Sequence, residues 1–128
     1  MKFQKEFYDS ETLLRGILHN KPGIDYYRED ENKATSAVFK DSKGISVNRT
    51  GCDKKYYDES LENLKNLQGH KFQKIGELNV SDCKILELYL KYCPTDDNEY
   101  HAEIHKSKNQ TELTHKEYRN LAKNCKII

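Results

Sequence analysis

The chain has 128 residues, and its 22 basic and 21 acidic side chains nearly cancel to a formal net charge of +1. That length suits a single domain spanning 1–128, with a modest core of its own and little room for a second. The charge balance provides no general field to recruit nucleic acid or an anionic membrane, leaving only a local patch open.

The amino-terminal segment MKFQKEFYDS has no long apolar run after its lysines, and no window approaches a bilayer span, so the expectation is a soluble, cytoplasmic protein with no membrane contact. The next segment, DSETLLRGIL, suits a short helix capped by Asp9 or Ser10, with Leu13, Leu14, Ile17 and Leu18 on one side; Gly16 weakens it, and a strand through TLLRGI competes. NKPGIDYYREDENKA reads as a long surface loop, polar except for Ile24 and the Tyr26/Tyr27 pair.

TSAVFK and GISVNR are rich in β-formers, and the intervening DSKG supplies turn chemistry, which together predict a hairpin over 35–49. Its apolar side, Ala37, Phe39, Ile45 and Val47, is expected to lie under the following helix. That helix begins after Asp53 as N-cap, carries Tyr57, Leu61, Leu64 and Leu67 at helical spacing over 54–67, and ends at Gly69. FQKIGELNV and LELYLKYC follow as strands, the second alternating Leu86, Leu88, Leu90 and Tyr92 with polar neighbours.

PTDDNE turns the chain into another alternating strand, YHAEIHK. THKE is a capping box opening a helix with Tyr118, Leu121, Ala122 and Cys125 as one apolar stripe. Runs of adjacent strands argue for an α+β fold, a mostly antiparallel sheet of about five strands with two or three helices packed on it.

The four cysteines, at 52, 83, 93 and 125, show neither a C-x-x-C pair nor zinc-ribbon spacing, so they are expected to be reduced thiols without bound metal. Cys83, Cys93 and Cys125 are expected in the core. The H-x-E of His101–Glu103 lacks the downstream P-C-x-x-C that a zinc deaminase needs. On a strand, His101, Glu103 and His105 share one face, which permits a His-Glu-His cluster for a divalent ion; the simpler reading is the wet face of a half-buried strand.

Arginine is the sharper signal, since Arg15, Arg28, Arg49 and Arg119 stand out in a chain that otherwise uses lysine, and a planar, bidentate donor suits a carboxylate or phosphate. Arg28 and Arg119 lie among charged neighbours, which leaves Arg15 and Arg49 as candidates, each with a structural salt bridge as its alternative role. There is no G-x-S-x-G motif and no glycine cluster to cradle phosphate, and no cofactor is expected. The nine tyrosines could stack on single-stranded nucleic acid, although their scatter suits core and boundary roles.

ATSAVFKDSKGISVNR, CPTDDNEYHAEIHK and the closing LAKNCKII together resemble a group of short bacterial proteins that share an S-x-x-F-K hairpin and a P-x-x-D-N-x-Y-H-A turn and strand. The resemblance covers most of residues 12–128, with Glu99 standing where the pattern has proline. It attaches no activity, and it marks Arg15, Ser36, Phe39, Ser46, Arg49 and His101 as positions of interest.

Two functions follow. One is a non-catalytic interaction or binding domain, engaging a protein partner through a sheet edge or the Tyr-rich loop at 24–28. The other is a small enzyme or sensor acting on a phosphorylated ligand, nucleotide or RNA, in which Arg15, Ser36, Ser46 and Arg49 bind and His101 serves as general acid/base near Arg49. Convergence of Arg15, Arg49 and His101 on one concave pocket would separate them.

Overall fold

The structure, a computed structural model, describes residues 2–67 and 71–128. Eight strands alternate with three helices and one 3-10 turn: β1 (Thr12–Leu18), β2 (Tyr27–Arg28), β3 (Lys33–Ala34), the 3-10 turn Ser36–Phe39, β4 (Ile45–Arg49), α1 (Lys54–Lys65), β5 (Phe72–Asn79), α2 (Val80–Ile85), β6 (Tyr89–Tyr92), β7 (His101–His105), α3 (His115–Asn124) and β8 (Lys126–Ile127). Six strands form one sheet in the order β6-β7-β4-β1-β5-β8, and β2 pairs with β3 as a separate ribbon. All pairings are antiparallel. The expected α+β class holds, with a sheet one strand larger than the estimate.

The sheet has two unlike faces. On one, Leu13, Ile17, Ile45, Val47, Leu78, Ala102 and Ile104 join Phe39 and the buried stripe Tyr118, Leu121, Ala122 and Cys125 of α3 in the main core. On the other, α1 brings Leu64 onto Leu14 of β1 and Ile75 of β5. α1 starts as the sequence implies, the Asp53 carboxylate accepting the Lys55 N–H at 2.8 Å. α3 opens with a closed capping box: Thr114 Oγ1 accepts the Glu117 N–H, and Glu117 Oε1 accepts the Thr114 N–H at 2.8 Å.

Within segment 9–18, Thr12–Leu18 is a strand rather than the favoured helix. Its apolar residues are consecutive because β1 is central, with Leu13 buried on the α3 face and Leu14 on the α1 face, and a doubly covered strand loses the period-2 signature. Gly16 belongs to that strand because a Cβ there would meet the Phe72 ring at 2.4 Å.

The segment at 20–34 is not only loop. The β2/β3 ribbon ties it down, with Tyr27 buried opposite Ala34 and its hydroxyl donating to Asn32 Oδ1 at 2.6 Å. The hairpin over 35–49 is also corrected. Ser36–Phe39 coil into a 3-10 turn that puts Val38 and Phe39 into the core, and β4 pairs with β1 and β7 instead. Its apolar side therefore lies under α3, not α1, with Ala37 only half-buried.

LELYLKYC contributes a shorter strand than its alternation suggests. Val80–Ile85 is helical, Glu87 turns the chain at φ 58°, and β6 starts at Tyr89. β8, which no sequence pattern marks, adds its two residues to the edge of β5. Gly69, the expected end of the α1 helix, lies outside the described residues; the helix is capped earlier, at Asn66. No described helix is long and apolar enough to cross a membrane.

Candidate functional site

β1 and β4 stay paired only at Leu13↔Arg49 and Leu14↔Asn48. Beyond that point they part, and Arg15 fills the opening. Its Nε and Nη2 donate to the Val38 carbonyl at 3.1 and 2.7 Å, and its Nη1 donates to the Ser46 carbonyl at 2.8 Å. A cavity of about 330 Å³ occupies the gap, lined by Arg15, Asp41, Ser46, Asn48, Asn98 and His101 and floored by Leu18, Leu64, Leu67 and Phe72. Burial lowers the Arg15 pKa from its ordinary value, with the charge of Asp41 working the other way.

A guanidinium has five N–H donors, and three of those of Arg15 are committed to carbonyls, so one on each terminal nitrogen is left for a ligand. The cavity thus offers a cation, a nearby anion and an apolar floor.

His101 arrives from β7 on the same face as Asn48, its cross-strand partner. Its Nδ1 lies 2.9 Å from the Cys93 carbonyl oxygen, the geometry of an N–H donating to that carbonyl. This fixes the tautomer with the Nε2 lone pair free, 3.3 Å from Ser46 Oγ and 3.9 Å from Glu103 Oε2. On the next turn of the pleat, Glu103 Oε1 accepts from His105 Nε2 at 2.9 Å, and the His105 ring meets Tyr89 edge-on. Gly44, at φ 103°, leaves room for that pair, since a Cβ there would stand 2.8 Å from His105 Nε2 and 2.9 Å from Glu103 Oε1.

Cys93 is half-buried beside this group, not in the core, with Sγ 3.4 Å from His101 Nδ1. Burial and then the charge of Glu103 push its thiol up to about 11. The core thiols behave as expected, burial raising Cys83 to about 12 and Cys125 to about 11.

Arg49 is placed elsewhere. Its backbone N–H donates to the Tyr100 carbonyl next to His101, but its side chain is on the opposite face and fully buried. It grips Glu11 bidentately, through Nε to Oε2 and Nη2 to Oε1 at 2.9 Å each, and donates to the carbonyls of Gln4 and Glu6. Its guanidinium carbon lies 3.8 Å from the centre of the Phe7 ring and is flanked by Phe3 and Tyr92. Arg49 therefore pins the amino-terminal segment to the sheet. Ser36 lies apart too, lining a separate groove with Gly23, Tyr26, Arg28 and Lys40.

Of the sequence candidates, then, Arg15, Ser46 and His101 share one cavity, and Arg49 and Ser36 do not. The sequence passed over Asn48 and Asn98, whose buried amides close one end of the cavity. Asn98 Nδ2 donates to Asn48 Oδ1 at 2.9 Å, and Asn48 Nδ2 donates to the Ser60 carbonyl and to Asn63 of α1. An asparagine inside a β-rich run was the available sign. Of the nine tyrosines, Tyr8 alone is exposed, and the others are half-buried or buried.

Compared with family models, curated proteins and solved structures, the chain matches none.

Proposed function

We propose that the protein is a binding domain for a small ligand bearing a carboxylate or phosphate, taken up in the cavity between β1 and β4. The observation that carries this reading is the convergence of Arg15, Ser46 and His101 on one concavity. Its volume lies near the lower end of small-molecule sites, which suits a compact ligand rather than an RNA strand. The remaining N–H donors of Arg15 would take the anionic group, Ser46 and His101 would fix its orientation, and Asp41 would favour a ligand that also carries a positive or hydrogen-donating group. Four unpaired cysteines suit a reducing cytoplasm.

A second reading draws on the 3.3 Å approach of His101 Nε2 to Ser46 Oγ: a small enzyme or sensor acting on the same ligand, with His101 moving a proton. Thermal shift against nucleotides, sugar phosphates and amino and keto acids tests the binding reading. A ligand at a hundred times its dissociation constant should stabilise the fold by about 2.7 kcal/mol. Arg15→Lys and His101→Ala should each weaken it. A panel without a hit, or a hit indifferent to both substitutions, overturns the reading, and turnover of a hit by the wild type but not by His101→Ala favours the second.

A further inference from the structure

The polar group at the β6/β7 end of the sheet has a donor set that hydrogen bonding alone does not require. Cys93, His101 and Glu103 each place one sulfur, nitrogen or oxygen ligand atom within 4.8 Å of the other two. The register explains why. β7 alternation puts His101 and Glu103 on one face, and β6 runs antiparallel with Lys91 opposite Glu103 and Tyr92 opposite Ala102. Cys93, one residue further, therefore comes level with His101, and its N–H donates to the His101 carbonyl at 3.2 Å.

We propose that Cys93, His101 and Glu103 bind a single divalent cation of the zinc class. Thiolate, imidazole and carboxylate together are the donors that ion accepts, and three protein ligands leave a fourth position for water or a ligand. Magnesium or calcium would call for oxygen donors throughout. His101 is also a wall of the cavity described above, so the ion would sit at that cavity's edge.

Two further contacts orient the trio as metal ligands are usually oriented. The His101 Nδ1 contact with the Cys93 carbonyl leaves Nε2 as the ligand atom, and His105 Nε2, 2.9 Å from Glu103 Oε1, holds the carboxylate. His101 and Glu103 need only a small approach, whereas Cys93 Sγ, 3.4 Å from His101 Nδ1, has to turn towards the Nε2 side. Two ligands about 2 Å from a shared tetrahedral ion lie roughly 3.3 Å apart, and His101 Nε2 and Glu103 Oε2 are 3.9 Å apart. All three side chains are half-buried, which shields the ion yet leaves it a way in. Lys91, across the strand from Glu103, forms no ion pair with it among the described residues.

The inference does not rest on the ligand-binding reading, because the metal alone is the probe. The full chain, stripped with a chelator, is titrated with Co²⁺ and followed by absorption, then back-titrated with Zn²⁺. One equivalent of Co²⁺ should produce a sulfur-to-cobalt charge-transfer band, which one equivalent of Zn²⁺ removes. The band should vanish in Cys93→Ser and survive in the triple substitution Cys52→Ser, Cys83→Ser and Cys125→Ser.

His101→Ala and Glu103→Gln should weaken binding more than His105→Ala, whose effect as a positioning residue should be about tenfold. Circular dichroism checks that each variant is folded. Should Cys93→Ser fail to fold, a wild-type melting temperature unmoved by Zn²⁺ would still overturn the proposal. So would a missing band, or affinity unchanged in His101→Ala and Glu103→Gln. Metal binding without any small-acid ligand, or the reverse, shows which of the two proposals fails.

Discussion

The two faces of the six-stranded sheet use the same strands for different ends. On the α3 face, Leu13, Ile17, Ile45, Val47, Ala102 and Ile104 are almost wholly removed from water, and the fully buried Arg49 is neutralised by Glu11 and enclosed by aromatic rings. On the α1 face the helix covers Leu14, Ile75 and Asn48, and the wing formed by β4, β7 and β6 shows Ser46, His101, Glu103 and His105. Because successive residues alternate across the sheet, each apolar residue that anchors β4 or β7 places a polar neighbour on the other side. Stability and chemistry can therefore be changed separately, by choosing odd or even positions.

The severest way to break the covered face is to unpair its charge. Arg49→Ala strands Glu11 in the core and should cost roughly 3–5 kcal/mol in denaturant unfolding, whereas Arg49→Ala with Glu11→Ala should recover part of that loss. A cost under about 1 kcal/mol for the single substitution would mean that the pair is hydrated in solution. Phe39→Ala tests the same face through packing. The ring is fully buried beside α3, so the loss should be about 3–5 kcal/mol, against about 2–3 for Leu64→Ala in the smaller cluster under α1.

These positions also show which parts of the fold could be read in advance. α1, α3 and β7 announce themselves because each has one buried and one wet side, so period and caps agree. β1 misled because both of its sides are buried. The 35–49 hairpin misled because a turn signal between two β-rich runs says nothing about whether β4 will find a better partner in β1 and β7, which are distant in sequence. Within the site, Arg15, Ser46 and His101 could be nominated by residue type, but the fate of Arg49 depended on Glu11, a glutamate 38 positions away with no local mark. Cys93 looked like a core thiol because its proximity to His101 exists only through the β6/β7 register.

The helix covering the α3 face gives a smaller, pH-dependent effect. Burial works to raise the Glu117 pKa, but the Thr114 N–H, Lys106 and the Thr114 hydroxyl outweigh it and hold the carboxyl below its ordinary value. A depressed carboxylate contributes stability that is present above the unfolded value of about 4.3 and lost as pH falls through the folded one. Wild type should therefore lose melting temperature from about pH 4.3 downwards more steeply than Glu117→Gln. At neutral pH, Thr114→Ala should cost about 1 kcal/mol through the cap alone. Parallel pH profiles for wild type and Glu117→Gln would mean that the box contributes geometry and no charge.

The smallest expected effect on stability lies on the open wing, where the comparison is sharpest. Ser46 is exposed and among the described residues its hydroxyl meets only His101, so Ser46→Ala should change unfolding free energy by about 0.5 kcal/mol or less. The residue beside it in sequence, Val47, faces the core and is 3 % exposed; Val47→Ala opens a cavity there and should cost about 2 kcal/mol. The two substitutions differ by one position on one strand, so they share every influence of β4 except the face. Equal costs, measured by urea denaturation on both variants, would show that α1 or the segment after it packs over Ser46 in solution, and the cavity assigned to ligand would then be closed. Unequal costs in the stated order, together with lost ligand binding in Ser46→Ala alone, would place function on the even-numbered residues of β4 and stability on the odd.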